Sequence, residues 1–178
     1  MTLPNYITLF RILLVPFFFT ALVSYRAGGG HYRWIAFGVF LTAALTDALD
    51  GFLARVTHKK SNLGRFLDPL ADKLLLLSGF LGILWVEILP YRPPLWVTVT
   101  IVFRDIVIIA GLVILYLISG TTRIQPNFFG KATTAFQMAT LVAILLEWRI
   151  AVPLWYVTAG ITILSCLIYV ARDINKLK

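Results

Sequence analysis

The sequence predicts an all-α membrane protein, a bundle of six transmembrane helices with both termini on the cytoplasmic side. Of its 178 residues, 60% are hydrophobic and only 13% are charged, and the mean hydropathy is +0.88. Soluble globular domains do not have this composition. The apolar residues also fall into six long segments separated by short turns, with no stretch long enough for a separate soluble domain. We therefore predict one membrane domain over residues 1–178.

The six segments come close to the length that a spanning helix requires, which is about 20 residues. They cover residues 7–24, 34–53, 67–89, 94–118, 132–146 and 152–171. Glycines at 28–30 and prolines between 90 and 94 mark two of the turns between them, because both residue types commonly end helices.

The basic residues predict the orientation. Nine Lys and Arg residues flank the helix ends on one side and four flank those on the other, and cytoplasmic loops carry the excess. The nine are Arg55, Lys59, Lys60, Arg65, Arg123, Lys131, Arg172, Lys176 and Lys178. This orientation and contact with anionic lipids explain the net charge of +8 better than nucleic acid does, because this chain offers no basic face on a soluble fold that could bind nucleic acid. We expect a multi-pass membrane protein.

Four carboxylates lie in segments that are otherwise apolar enough to enter a bilayer. The chain has eight acidic residues, and Asp47, Asp50, Asp68 and Asp72 are half of them. Carboxylates at this depth are costly and usually functional. Asp47 and Asp50 share one face of the second helix, and Asp68 and Asp72 share one face of the third. The short connection predicts that the two helices are antiparallel neighbours, so all four carboxylates would converge.

Converging carboxylates repel one another and take up protons unless cations lie between them. Oxygen-only ligands favour Mg²⁺ or Mn²⁺, and the absence of nearby Cys or His argues against zinc. Gly51, Ala54 and Gly64 leave space beside the carboxylates. The pattern therefore predicts a two-metal site that handles phosphates, roughly 10–15 Å inside the cytoplasmic helix ends at 1.5 Å per residue.

Two other interpretations of the aspartates remain. They could form intramembrane ion pairs with Arg55, Lys73 and Arg104, although ion pairing does not require this order of glycines. They could also form the relay of a small ion or proton transporter, although relay acids usually follow the membrane normal and these cluster toward one face.

The motif from Asp47 to Asp72 resembles the signature of the CDP-alcohol phosphatidyltransferases. It reads Asp-x2-Asp-Gly-x2-Ala-Arg-x8-Gly-x3-Asp-x3-Asp without a departure over 26 residues. The resemblance covers nearly the full chain. It implies a homodimeric enzyme of phospholipid biosynthesis that uses Mg²⁺ or Mn²⁺ to transfer the phosphatidyl group of CDP-diacylglycerol to an alcohol, with release of CMP.

The resemblance also implies roles for the motif residues. The carboxylates are the metal ligands, and the last of them is the catalytic general base as well: Asp47, Asp50, Asp68 and Asp72. The small and basic residues contact the CDP-lipid, with the arginine on its phosphates: Gly51, Ala54, Gly64 and Arg55.

Three weaker patterns lie on the same side. Residues 4–11 resemble the entry to the first helix in this family. Arg104 is either a structural partner of Asp105 or a cavity-facing contact for an acceptor phosphate, and the resemblance favours the cavity. Lys131 lies in a Gly-Lys-x-x-Thr-x-x-Gln pattern of the family, which implies a second acceptor-phosphate contact, although a lysine at this position is by default a topology charge.

Two acceptors stay open. Phosphatidylglycerophosphate synthases use glycerol-3-phosphate, and CMP-forming cardiolipin synthases use phosphatidylglycerol. The first group commonly has Glu and a second Arg where this chain has Asp105 and Leu112, which favours the cardiolipin group. The wide occurrence of the glycerol-phosphate activity in short bacterial chains favours the other.

Overall fold

The structure, a computed structural model, describes residues 3–57, 62–119 and 128–174, except for the side chains of residues 3–5, 26–28, 50–57, 62–66, 112, 115, 116, 119, 128, 129 and 167–174. The described residues form six α-helices and no strand. The helices are α1 Leu3–Gly28, α2 His31–Thr57, α3 Asn62–Trp85, α4 Leu95–Ser119, α5 Phe128–Leu145 and α6 Ala151–Ile174.

Each predicted segment falls on one helix, in the predicted order. The third segment is predicted too long, because α3 ends at Trp85 and the chain then turns, with Val86 N donating to Ile83 O at 3.1 Å. α4 begins directly after Pro94, whose carbonyl accepts the backbone N–H groups of Val97 at 3.0 Å and Thr98 at 3.3 Å. A proline just before the first helical turn loses no helical hydrogen bond.

One helical stretch among the described residues, Tyr6–Tyr25, has both the length and the apolar composition needed to cross a bilayer, with a mean hydropathy of 2.1. A second apolar stretch, Ala151–Cys166, is shorter. The membrane character predicted from composition is consistent with both, and the number of spans stays a prediction.

α1 is the central helix of one half of the bundle. It packs extensively against both α2 and α3, and among the described residues these two helices contact each other only slightly. In this part of the chain the predicted pairing of α2 with α3 is therefore a small contact, and α1 packs against both helices. In the other half, α5 packs against α6, and α4 contacts α3 and α6.

Two glycines let α1 and α3 approach closely. A Cβ atom on Gly79 would lie 3.1 Å from Phe18 Cε1, and one on Gly82 would lie 2.7 Å from Leu22 Cδ2. Small residues commonly permit such contacts between membrane helices. The buried apolar core surrounds them, and its largest members include Phe18, Leu22, Phe40, Leu75, Leu76, Phe80, Ile83 and Leu141.

Glu147 closes the end of the bundle at which α2 begins. It accepts a hydrogen bond from the Tyr25 hydroxyl at 3.1 Å and pairs with Arg33. Its φ of 55° ends α5 in a left-handed turn, with Trp148 N donating to Ala143 O at 2.9 Å. These bonds connect α1 and α2 to the turn between α5 and α6. The aspartates lie at the opposite end of the bundle.

Candidate functional site

The predicted aspartates lie at the end of the bundle where α1 begins. Asp47 is in the last part of α2, and Asp68 and Asp72 lie one turn apart in the first part of α3. Asp50 follows in α2, but its side chain lies outside the described residues. The structure therefore describes the side chains of three of the four carboxylates.

Two fully buried side chains of α1 contact these three carboxylates. Thr8 Oγ1 donates a hydrogen bond to Asp68 Oδ1 at 2.6 Å. One turn later, Arg11 Nη1 lies 2.7 Å from Asp72 Oδ1 and 2.8 Å from Asp47 Oδ1. A single guanidinium nitrogen thus joins a carboxylate of α2 to a carboxylate of α3. We call Thr8, Arg11, Asp47, Asp68 and Asp72 the carboxylate cluster.

The carboxylate cluster is buried on one side and accessible on the other. Arg11 is 0% exposed, whereas the side chains of Asp47 and Asp72 are 38% and 25% exposed. Charged pairs with short N–H···O contacts of this kind are stronger than neutral hydrogen bonds. α1 therefore contacts these carboxylates on their buried side, and their exposed side stays accessible to a ligand.

The carboxylate oxygens of the cluster are ligands of the type that a hard divalent cation prefers. Two carboxylate oxygens already share one positively charged atom, and Mg²⁺ and Mn²⁺ prefer such oxygen ligands. Among the side chains that the structure describes, no three acidic, His or Cys groups lie close enough together to hold a metal ion. The predicted ligand set includes Asp50, which is not among them, so the four-carboxylate site stays a prediction.

A second polar cluster lies among α3, α4, α5 and α6. The fully buried carboxylate of Asp105 accepts from Lys73 Nζ at 2.8 Å, from Arg104 Nη1 at 2.8 Å and from Gln137 Nε2 at 3.0 Å. Arg104 Nη2 donates to Ser165 Oγ at 3.1 Å. We call these five residues the Asp105 cluster. It contains two basic side chains and one carboxylate, so it carries one uncompensated positive charge.

Arg104 is paired with Asp105, which is one of the two alternatives predicted for it. It also lies beside the start of α5, because a Cβ atom on Gly130 would be only 3.6 Å from its Nη2. The next residue, Lys131, is exposed in the first turn of α5, where backbone N–H groups lack helical partners. The structure therefore brings Arg104 to the end of α5 that carries Lys131, and their contact with an acceptor phosphate stays a prediction.

The predicted contacts of the CDP-lipid lie in the last turns of α2 and the first turn of α3. Beyond the helix backbone they fall outside the described residues, so their roles also stay predictions. These residues are Gly51, Ala54, Arg55 and Gly64.

The sequence pattern predicts no contact between α1 and the aspartates, and it offers Lys73 only as a partner of those aspartates. The structure instead pairs Lys73 with Asp105, and it adds Thr8, Arg11 and Ser165. Buried polar residues at helical spacing within apolar segments are a signal that could have revealed part of this network. They are Thr133, Gln137 and Thr140 on α5, and Thr158, Thr162 and Ser165 on α6.

An open apolar groove of about 390 Å³ lies beside the carboxylate cluster, between α1 and α2. Its lining residues are Tyr6, Ile7, Phe10, Thr46 and Leu49. Phe10 directly precedes Arg11, and Thr46 directly precedes Asp47. Apolar surface and carboxylates are therefore neighbours at this end of the bundle.

Comparison with known proteins gives one family and two enzyme specificities. Residues 1–171 match the family model of the CDP-alcohol phosphatidyltransferases. A CMP-forming cardiolipin synthase of Streptomyces coelicolor is 36% identical over 147 residues, which are 83% of this chain and 66% of that protein.

Two relatives carry the other specificity. A probable phosphatidylglycerophosphate synthase of Mycobacterium tuberculosis is 33% identical, over 98% of this chain and 83% of its own length. The CDP-diacylglycerol–glycerol-3-phosphate 3-phosphatidyltransferase of Escherichia coli K12 is 33% identical, over 95% of this chain and 93% of its own length.

Proposed function

This chain belongs to the CDP-alcohol phosphatidyltransferase family, whose relatives make it an enzyme of phospholipid biosynthesis, and from that premise we propose that it transfers the phosphatidyl group of CDP-diacylglycerol to a glycerol-type alcohol. CMP is the other product. One observation carries the proposal: Arg11 Nη1 is shared by Asp47 and Asp72, so carboxylates from two helices meet at one cation. The transporter alternative is set aside, because the family is one of enzymes.

The carboxylates have two tasks in this reaction. Asp47, Asp50, Asp68 and Asp72 would hold two Mg²⁺ or Mn²⁺ ions, which when bound neutralise charge on the pyrophosphate oxygens and on the leaving CMP. Asp72 also accepts the proton of the acceptor hydroxyl, whose oxygen attacks the phosphorus attached to the lipid. The partial exposure of Asp72 supports this role, because the acceptor must reach its carboxylate.

The donor approaches from the lipid side. Arg55 binds its phosphates, and Gly51, Ala54 and Gly64 allow the nucleotide to come close to α2 and α3. The apolar groove beside Asp47 supports the same orientation, because it offers surface to an acyl chain whose pyrophosphate lies at the carboxylates.

The acceptor's phosphate binds between α4 and α5. Arg104 and Lys131 provide its positive charge, supported by the uncompensated charge of the Asp105 cluster and by the proximity of Arg104 to Gly130. Glycerol-3-phosphate and phosphatidylglycerol both carry a phosphate next to a glycerol hydroxyl. This site suits either acceptor, and relatives of both specificities match the chain.

The same proposal includes the membrane arrangement. Residues 1–178 form one domain with six spans, both termini and the aspartates lie on the cytoplasmic side of a bacterial inner membrane, and the enzyme is a homodimer. The excess of basic residues on the side that carries Arg55 and Lys131 supports this orientation.

The test is CMP release by the purified protein in detergent, with CDP-diacylglycerol and Mg²⁺ or Mn²⁺. Glycerol-3-phosphate and phosphatidylglycerol are supplied in separate reactions, and we expect CMP with only the true acceptor. Folded protein that releases no CMP with either alcohol contradicts the proposal.

A further inference from the structure

Within the carboxylate cluster, Arg11 contacts two aspartates through a single nitrogen atom. A guanidinium usually binds a carboxylate through two parallel N–H···O bonds. Here one nitrogen, Nη1, contacts both Asp47 Oδ1 and Asp72 Oδ1. The Nε and Nη2 atoms of Arg11 are buried and have no hydrogen-bond partner among the described residues. Arg11 therefore interacts with the two carboxylates much as a point cation would.

The position of Nη1 is one that a shared metal ion also needs. The two oxygens that contact Nη1 belong to Asp47 and Asp72, which the proposed function assigns to the metals. An oxygen that directs its charge to the guanidinium is less available to a second cation, and the two positive charges would also repel at this separation. Arg11 and the metal therefore compete for the same oxygens.

Without a metal, Arg11 also has a structural task. Among the described residues, α2 and α3 contact each other only slightly, so the repulsion between Asp47 and Asp72 is opposed mainly through α1. Burial strengthens this attraction, because Arg11 is fully enclosed and poorly screened by water. Only the two carboxylates bind the guanidinium among the described residues, so its release breaks no third hydrogen bond.

We propose that Arg11 is a resident counter-ion that holds the carboxylates of α2 and α3 together before metal loading, and that a divalent cation must displace it from Asp47 and Asp72. This inference rests on the metal site of the proposed function. It assigns Arg11 as a positioning residue that lowers the affinity of the site for metal and keeps the site assembled while metal is absent.

The test measures Mn²⁺ binding to the full chain in detergent, by the electron paramagnetic resonance signal of free Mn²⁺. We expect Arg11→Gln to bind Mn²⁺ roughly tenfold more tightly than the wild type, which corresponds to about 1.4 kcal/mol. The matched control is Arg33→Gln, which removes an arginine of the same length whose partner is Glu147 at the opposite end of the bundle. Its Mn²⁺ affinity should equal that of the wild type.

A second readout separates this role from simple stabilisation. Without metal, Arg11→Gln should unfold at a lower temperature than the wild type. Saturating Mn²⁺ should raise the unfolding temperature of the variant by more than it raises that of the wild type. If the glutamine variant does not fold, Arg11→Lys is measured instead. Its shorter side chain reaches the two oxygens less well, so we expect Mn²⁺ to bind roughly threefold more tightly.

Equal or weaker Mn²⁺ binding by a folded Arg11 variant overturns the inference and leaves the metal site in place. Absence of Mn²⁺ binding by both the wild type and the variant overturns the metal site itself, and with it the inference.

Discussion

Lys73 Nζ lies 2.8 Å from Asp105 Oδ1, although the residue that precedes Lys73 is Asp72, whose Oδ1 is bound by Arg11. Consecutive residues of an α-helix point about 100° apart, because one turn contains 3.6 residues. α3 therefore directs the Asp72 carboxylate to α1 and the Lys73 ammonium to α4. The two polar clusters are joined by one peptide bond, and a shift of α3 moves both together.

Asp72→Asn should abolish turnover while CDP-lipid binding persists. The amide keeps the shape of the side chain and can still accept from Arg11, but it cannot take the proton of the acceptor hydroxyl. Loss of a general base lowers rates by roughly 10²–10⁴-fold. CMP release measures the rate, and equilibrium binding of CDP-diacylglycerol measures the affinity. Glu87→Gln, an exposed carboxylate next to the end of α3, is the control and should change neither.

If Asp72→Asn loses CDP-lipid binding together with turnover, the carboxylate acts mainly as a metal ligand. The assignment of Asp72 as the base would then be wrong.

Thr8→Val should weaken Mn²⁺ binding by roughly tenfold. The substitution keeps the branched shape but removes the hydroxyl that donates to Asp68 at 2.6 Å. Groups that orient a metal ligand typically contribute 10–100-fold to metal affinity. Thr42→Val is the matched control, because the Thr42 hydroxyl is exposed and donates only to the Gly38 carbonyl at 2.8 Å. Unchanged Mn²⁺ affinity in Thr8→Val would show that this hydrogen bond does not position the ligand.

Asp105→Asn should destabilise the fold strongly. Lys73 and Arg104 would remain buried with no carboxylate to balance them, and breaking a buried ion pair in this way typically costs about 3–5 kcal/mol. Glu147→Gln makes the same chemical change in a pair whose acid is 31% exposed, so its cost should be about 1 kcal/mol or less. Unfolding temperatures in detergent measure the difference. Equal losses in the two variants would mean that burial does not strengthen the Asp105 cluster.

Arg104→Gln should raise the KM for the acceptor roughly tenfold and leave the KM for CDP-diacylglycerol nearly unchanged. Hydrogen bonds to a charged group are worth about 1.5–3 kcal/mol. The fold should tolerate this change, because Lys73 and Asp105 then balance one to one. Lys131→Gln should have a smaller effect, since that side chain is exposed. Arg149→Gln, an exposed arginine at the opposite end, is the control. A rise in the KM for CDP-diacylglycerol alone would mean that Arg104 contacts the donor and not the acceptor.

The sequence predicts the helices well, because their length and apolar character are local properties of the chain. It predicts less well which helices touch. A short connection between α2 and α3 suggests direct packing, but it does not exclude a third helix between them. Gly79 and Gly82 give α3 a face that α1 can approach closely, and this contact depends on residues far apart in sequence.

The same distinction applies to the site. The aspartates are recognisable because four acids at helical spacing are rare in apolar segments. The partners of those acids are not recognisable from the sequence, because an arginine such as Arg11 near a helix start is usually a topology charge. Lys73 is misleading for a related reason, because its neighbour in sequence suggests an ion pair with the aspartates, whereas the helical rotation turns it to Asp105.

Gly79→Ala should destabilise the bundle by about 1–3 kcal/mol, which is the usual cost of overpacking a core. The added methyl group would lie 2.9 Å from Leu141 Cδ1 and 3.1 Å from Phe18 Cε1, and both of these side chains are fully buried. Neither can move aside without disturbing its own neighbours, so α1 and α5, which carry Phe18 and Leu141, must shift away from α3.

Gly160→Ala is the matched control, since nothing lies within 4 Å of the position where its methyl group would be. Alanine stabilises a helix interior by roughly 0.5–1 kcal/mol relative to glycine, so this variant should unfold at the same or a slightly higher temperature. If Gly79→Ala unfolds at the same temperature as Gly160→Ala, the close packing around Gly79 does not limit the stability of the bundle.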